Sequence, residues 1–72
     1  MNDEEFLTYM TAAADDRVMV SGAQIDRLRM LAGVDIEARP MPPGWWGTVC
    51  PTNVAWAVSQ ARKRLNQSRK GA

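Results

Sequence analysis

Hydrophobic residues recur at helical spacing in three stretches of the chain. The first stretch covers about residues 3–14, and its apolar positions are Phe6, Leu7, Met10, Ala13 and Ala14. Positions spaced in this way lie on one side of an amphipathic helix. Asn2 followed by Glu5 is typical of a helix start, and the acidic pair Asp15-Asp16 is disfavoured at a helix C-terminus. The pattern predicts a first helix that ends near this pair.

A second helix is predicted over about residues 22–32. Ser21 followed by Gln24 has the pattern of a capping box, and Gly33 stands where a left-handed C-terminal cap is expected. The preceding segment, residues 17–20, is short and apolar. Its pattern leaves open whether it forms a strand or an extended linker.

A third helix is predicted over about residues 53–67, with Thr52 as its N-cap. Its core-facing positions are Val54, Val58, Ala61 and Leu65. The opposite side of this helix is polar and basic. We expect the last residues, 68–72, to fray, as chain ends commonly do.

Residues 34–51 interrupt the helical pattern with prolines and glycines, namely Pro40, Pro42, Pro43, Gly44, Gly47 and Pro51. This composition predicts a long loop or a short hairpin. Trp45 and Trp46 are adjacent within it, and neighbouring side chains in extended backbone point to opposite sides. One tryptophan is then expected to fill the core while the other lies near the surface. The alternative is that both pack over a small core.

At 72 residues the chain has room for one small domain with a small core. We predict a mainly α fold in which a single domain, residues 1–72, contains three helices. A long Pro/Trp-rich loop or a short β-hairpin joins the second helix to the third. The chain has no histidine and one cysteine, Cys50, so an intramolecular disulfide and a Cys/His zinc site are both excluded.

Charged residues are unevenly distributed, although the formal net charge is only +1. Residues 1–16 contain acids and no base. Residues 38–72 contain bases and no acid, and the bases are Arg39, Arg62, Lys63, Arg64, Arg69 and Lys70. Two interpretations are open: a charged partner, or charge complementarity between the first and last helices.

The sequence offers few groups for catalysis. It lacks histidine for acid-base chemistry, a Gly-x-Ser-x-Gly motif and a phosphate-binding glycine-rich loop. Cys50 could be activated by the third helix or by nearby bases, and the alternative is a small buried cysteine. The acidic pairs do not have the spacing of a calcium-binding loop. We predict a non-enzymatic protein that needs no metal or cofactor.

Two groups of side chains are candidates for partner contacts. The candidates for protein binding are the aromatic and methionine residues Trp45, Trp46, Met41 and Trp56. The candidates for contact with nucleic acid or an acidic partner are the bases Arg39, Arg62, Lys63, Arg64, Arg69 and Lys70.

Residues 20–33 contain a Gly-x-x-Ile-x-x-Leu-Arg pattern that ends at a glycine. This segment resembles the opening helix of the repressor-type helix-turn-helix family, and the resemblance implies DNA binding. In that family two further helices follow, whereas the prolines here occupy the next stretch. A winged arrangement with residues 39–49 as the wing is more compatible, although winged proteins usually place the recognition helix before the wing.

These observations favour a non-enzymatic small binding protein that regulates a larger macromolecular assembly by docking on it. In size, polarity and lack of catalytic groups the chain is similar to small phage-encoded modulators of host machines such as RNA polymerase or defence complexes. The alternative is a small winged-helix or helix-turn-helix-like DNA-binding protein that uses the basic face of the third helix. We expect no small-molecule substrate.

The N-terminal residues 1–5 are acidic where a secretory signal would be basic and then apolar, and a lone cysteine fits a reducing compartment. The apolar runs are far shorter than the roughly 20 residues that a membrane-spanning helix needs. We therefore expect a cytoplasmic protein that does not enter a membrane.

Overall fold

The structure is a computed structural model that describes residues 1–34, 42 and 44–70, with side chains as far as residue 68. In chain order, the described elements are α1 (Asp3–Asp15), β1 (Val20–Ser21), α2 (Gly22–Ala32), β2 (Trp46–Gly47) and α3 (Pro51–Lys70). The predicted mainly α fold with three helices is thereby confirmed.

The predicted start of α1 is confirmed in atomic detail. The Asn2 side chain accepts a hydrogen bond from the Glu5 backbone N–H at 2.8 Å. Acidic residues fill the first turn, where they interact favourably with the positive end of the helix dipole. The helix ends at Asp15, the first residue of the acidic pair near which it was predicted to end.

The start of α2 is a complete capping box. The Gln24 backbone N–H donates to the Ser21 hydroxyl at 3.2 Å, and the Ser21 backbone N–H donates to the Gln24 side-chain oxygen at 2.8 Å. Gly33 closes the other end with a left-handed backbone, at a φ of 69°, and its N–H donates to the Arg29 carbonyl at 2.8 Å. Both ends of this helix were predicted from local sequence.

The prediction of Thr52 as the N-cap of α3 is wrong, because α3 already begins at Pro51. Proline suits the first helical turn, since its missing N–H has no partner there in any helix. The Cys50 carbonyl accepts the first helical hydrogen bond, from the Val54 N–H at 3.1 Å. The helix also continues to Lys70, beyond the predicted limit at residue 67, because no proline or glycine interrupts it.

The core lies where α3 packs against both α1 and α2. Its largest fully buried side chains are Leu7, Met10, Val20, Ile25, Leu28 and Val54. Among the described residues, no polar or charged side chain is buried. The core of the described part is therefore held by apolar packing.

An ion pair fastens the start of α1 to α2. Arg27 lies 3.0 Å from the Asp3 carboxylate, and its guanidinium stacks over the Phe6 ring at 4.4 Å from the centroid. The ion pair is partly exposed to water, so its contribution is small, and the cation–π contact adds about 0.5–1 kcal/mol.

The two short strands pair antiparallel, with Val20 opposite Gly47 and Ser21 opposite Trp46. The strand inside the predicted loop therefore pairs with the segment before α2. The Gly22 N–H also donates to the Trp45 carbonyl at 2.9 Å. We call residues 20–21 and 46–47 together the ribbon.

Candidate interaction surface

The ribbon separates the two adjacent tryptophans. Val20 is fully buried, and the pleat of a strand puts its neighbour Ser21 on the opposite side. Because Trp46 pairs with Ser21, the Trp46 side chain points away from the core, and 58% of it is exposed. Trp45 is half-buried and packs against the core cluster. Trp46 is therefore available to a partner, whereas Trp45 is part of the fold.

Gly47 is required for this arrangement. A Cβ atom built on Gly47 would lie 2.5 Å from the Trp45 ring, closer than real Cβ contacts allow. The Trp45 ring thus lies against the bare backbone of Gly47 and holds the inner side of the ribbon. The backbone on either side of Trp46 is then fixed by a packed ring and by strand pairing.

Two further apolar side chains lie beside the ribbon. Met19 directly precedes β1 and is 52% exposed, and Val18 before it is also exposed. Strand alternation places Met19 on the same side as Trp46. We call Met19 and Trp46 the ribbon surface. Neither Val18 nor Met19 was among the predicted site residues; the signal was an apolar run of which only Val20 has a place in the core.

The chain reaches the ribbon surface from α1 through a Schellman motif. The Val18 N–H donates to the Ala13 carbonyl at 2.8 Å, and the Arg17 N–H donates to the Ala14 carbonyl at 3.2 Å. Arg17 occupies the left-handed position of this motif, with a φ of 58°. Glycine is the usual residue there, because a Cβ atom makes this conformation costly.

Cys50 lies at the start of α3 as a free, exposed thiol, so the alternative of a buried cysteine is wrong. The backbone N–H groups of Asn53 and Thr52 lower the pKa of the Cys50 thiol, and the positive charge of Arg17 adds to this effect. Arg17 and Cys50 therefore belong to the same end of the molecule. The described residues contain no group of acids and thiols that could hold a metal ion.

The outward side of α3 carries a second set of exposed groups. Val54, Ala57, Val58 and Ala61 face the core, which leaves the opposite side to water. Helical spacing of four, seven and eleven residues aligns Trp56 with Gln60, Lys63 and Gln67 on that side. We call these four residues the α3 outer stripe. Trp56 is 49% exposed and Lys63 is exposed.

Two of the predicted basic contact residues have partners within the chain. The Arg62 Nε lies 3.9 Å from the Glu4 carboxylate, and Arg64 donates to the Met30 carbonyl at 3.3 Å. Part of the basic charge of α3 is thus used within the fold, in contacts with α1 and α2. Lys63 lies between these two arginines in sequence and has no partner among the described groups.

The remaining predicted contact residues lie wholly or partly outside the described residues. Arg39 and Met41 lie outside the described residues, as do residues 40 and 43 of the predicted wing. Arg69 and Lys70 belong to α3 by their backbone, but their side chains are outside the described part. The helices α2 and α3 are separated by residues 33–50, a connection much longer than the turn of a helix-turn-helix motif.

No protein-family model, curated protein sequence or solved structure shows significant similarity to this chain. Within the described residues, no helix has the length and apolar character needed to span a membrane. The ribbon surface and the α3 outer stripe are therefore the features of the structure that bear on function.

Proposed function

We propose that this is a non-enzymatic binding protein that docks on a larger protein assembly and regulates it, with the ribbon surface as the docking site. One observation carries the proposal: the ribbon turns Trp46 outward while Trp45 anchors the same strand to the core. Exposed tryptophans with apolar neighbours are the side chains that most often dominate binding energy in protein interfaces.

The surroundings of Trp46 favour binding because they are already ordered. Its backbone is paired with Ser21, and the ring of Trp45 packs beside it over Gly47. A partner would not have to order this part of the chain, which removes a main cost of association. Met19 adds an unbranched side chain that adapts to the shape of a partner. The partner is expected to offer an apolar pocket that accepts an indole ring.

The mechanism would be steric or conformational, because docking covers a surface of the partner or holds it in one state. In size and composition the chain fits the class of small phage-type modulators of host machines such as RNA polymerase, and we propose this setting. The free thiol of Cys50 agrees with action in the reducing cytoplasm.

The test compares two exposed tryptophans that lie on different elements. Immobilised wild-type protein, Trp46→Ala and Trp56→Ala are each used to capture proteins from host extract, and captured proteins are quantified. A direct partner should be retained by the wild type and by Trp56→Ala and lost by Trp46→Ala. With the purified partner, the loss of a central tryptophan should weaken binding at least about 30-fold. Met19→Ala should weaken it less.

Circular dichroism and thermal unfolding accompany each variant, because the interpretation requires a folded protein. Trp46→Ala should keep the helical spectrum, whereas Trp45→Ala should lose stability through its core contacts. Sedimentation at several concentrations shows whether a second copy of the chain is the partner. Equal capture by wild type and Trp46→Ala would reject the ribbon surface as the docking site.

A further inference from the structure

Beyond docking through the ribbon surface, we infer that the α3 outer stripe binds single-stranded nucleic acid, with Trp56 stacking on an unpaired base and Lys63 contacting a phosphate. The two residues lie on the side of α3 that faces away from the core. They are separated by two turns of helix, about 10 Å along the axis. The stripe thus presents an aromatic ring and a cation on one continuous face.

The charge on α3 fits a phosphate backbone. Arg62, Lys63 and Arg64 are consecutive, and the helix contains no acidic residue from Pro51 to Lys70. An anionic strand lying along this face would meet no repulsive carboxylate of the helix. The pairing of Arg62 with Glu4 is weak, because it is 3.9 Å long and nearly half-exposed at both ends. Arg62 can therefore turn toward a phosphate at little cost.

The half-exposed indole favours a single strand over a duplex. Bases in a duplex are stacked on each other and offer no free face to Trp56, whereas every unpaired base does. The other members of the stripe, Gln60 and Gln67, are amides that hydrogen-bond to sugars, phosphates or base edges. No member of the stripe is needed for the core, so the face is free to bind.

The probes are labelled oligo(dT), oligo(U) and a duplex of random sequence, titrated with the full chain at about 50 and 200 mM salt, with anisotropy as the readout. We expect the single strands to bind more tightly than the duplex, with affinity falling as salt rises. Binding should also quench tryptophan fluorescence, and the quenching should be lost in Trp56→Ala and preserved in Trp46→Ala.

Trp56→Ala should weaken single-strand binding at least about fivefold, and Trp56→Phe should restore most of it because a ring remains to stack. Lys63→Gln should reduce the slope of log affinity against log salt by about 0.7, and Lys63→Arg should keep it. Circular dichroism checks that each variant is folded. Trp46→Ala should bind oligonucleotides normally, so failure here is distinguishable from failure of the docking proposal.

Three results would overturn the inference. They are the absence of binding to either single strand at low salt, equal affinity for duplex and single strand, and an affinity that Trp56→Ala leaves unchanged. The last of these would show that any binding is a general attraction of the basic helix for polyanions.

Discussion

The helices α1 and α2 are both followed by a residue with left-handed backbone, yet the two ends are built very differently. At the end of α2 the residue is Gly33, and Arg29 in the last turn suits the negative end of the helix dipole. At the end of α1 the residue is Arg17, and Asp15 and Asp16 place negative charge where the dipole disfavours it. The end of α2 follows the local preferences for residue type and charge, whereas the end of α1 breaks both of them although it forms a Schellman motif.

The less favourable helix end, that of α1, lies beside the candidate binding residues. The α1 end leads directly into the ribbon surface and lies near Cys50. Local choices that lower stability tend to concentrate where a protein binds or reacts. The contrast therefore supports the α1 end as the functional end of the molecule, independently of the exposed tryptophan.

The largest effect is expected from Gly33→Ala. A Cβ atom there is strained at a φ of 69° and would collide with the Arg64 guanidinium. We expect a loss of about 1–2 kcal/mol in the free energy of unfolding, measured by urea denaturation. Gly44→Ala is the matched control, since a Cβ atom on Gly44 meets nothing within 4 Å. Equal losses in the two variants would remove Gly33 from the comparison.

Arg17→Gly is expected to stabilise the protein, in contrast to Gly33→Ala. Glycine relieves the left-handed strain at the end of α1, and the free energy of unfolding should rise by up to about 1 kcal/mol. Ser59 is an exposed residue in the middle of α3, where the backbone is ordinary helix. Ser59→Gly should lower the free energy of unfolding by about 0.5–1 kcal/mol. Thermal unfolding of both variants measures the difference. A destabilised Arg17→Gly would show that the arginine side chain contributes more than its backbone costs.

A smaller gain is expected from neutralising the acids at the end of α1. Asp15→Asn and Asp16→Asn should each raise the free energy of unfolding by about 0.3–1 kcal/mol, and the gain should shrink at high salt. Asp3→Asn, at the start of the same helix, should instead lower stability, because it loses a favourable dipole interaction and the ion pair with Arg27. If all three substitutions change the free energy of unfolding in the same direction, the proposed difference between the two ends of α1 is wrong.

The smallest effect concerns the Cys50 thiol. Because the start of α3 lowers its pKa, the rate of alkylation should rise with pH at a midpoint below that of an ordinary cysteine. Arg17→Gln should move this midpoint upward, and Arg62→Gln should leave it in place.

A lowered pKa in the folded state also has a sign for stability. At pH values above the pKa of the thiol in the unfolded chain, the thiolate form of Cys50 should give the fold a small extra stability. This stability is lost as the pH falls through the lowered pKa of the folded protein. Cys50→Ser should abolish this pH dependence. A midpoint equal to that of free cysteine would contradict the geometry of the helix start.

The parts of the fold that could be predicted from sequence are those controlled by neighbours in the chain. Asn2 with Glu5, Ser21 with Gln24, and Gly33 are local signals, and each marks a helix end in the structure. The start of α3 was predicted two residues late, at residue 53 after Thr52, because Pro51 and Thr52 are both reasonable at a helix start.

The parts that could not be predicted depend on residues distant in sequence. The pairing of Ser21 with Trp46 decides which tryptophan faces water, and neither segment indicates its partner. Sequence reasoning left this choice open and assigned both tryptophans to the binding site, whereas only Trp46 is well exposed. The contact of Arg62 with Glu4 was equally open, since charge patterns do not specify distances.

A hydrogen bond beside the ribbon reports how often the two strands separate. The Gly22 amide is held by the Trp45 carbonyl from across the loop, whereas the Gln24 amide, two residues on, is held by the adjacent Ser21 hydroxyl. The Gly22 amide should therefore exchange its hydrogen with solvent each time the ribbon separates, while the Gln24 amide exchanges only when the helix start itself unravels. A partner that binds Trp46 should slow hydrogen exchange at the Gly22 amide more than at the Gln24 amide. This difference would report binding at the ribbon surface without a label.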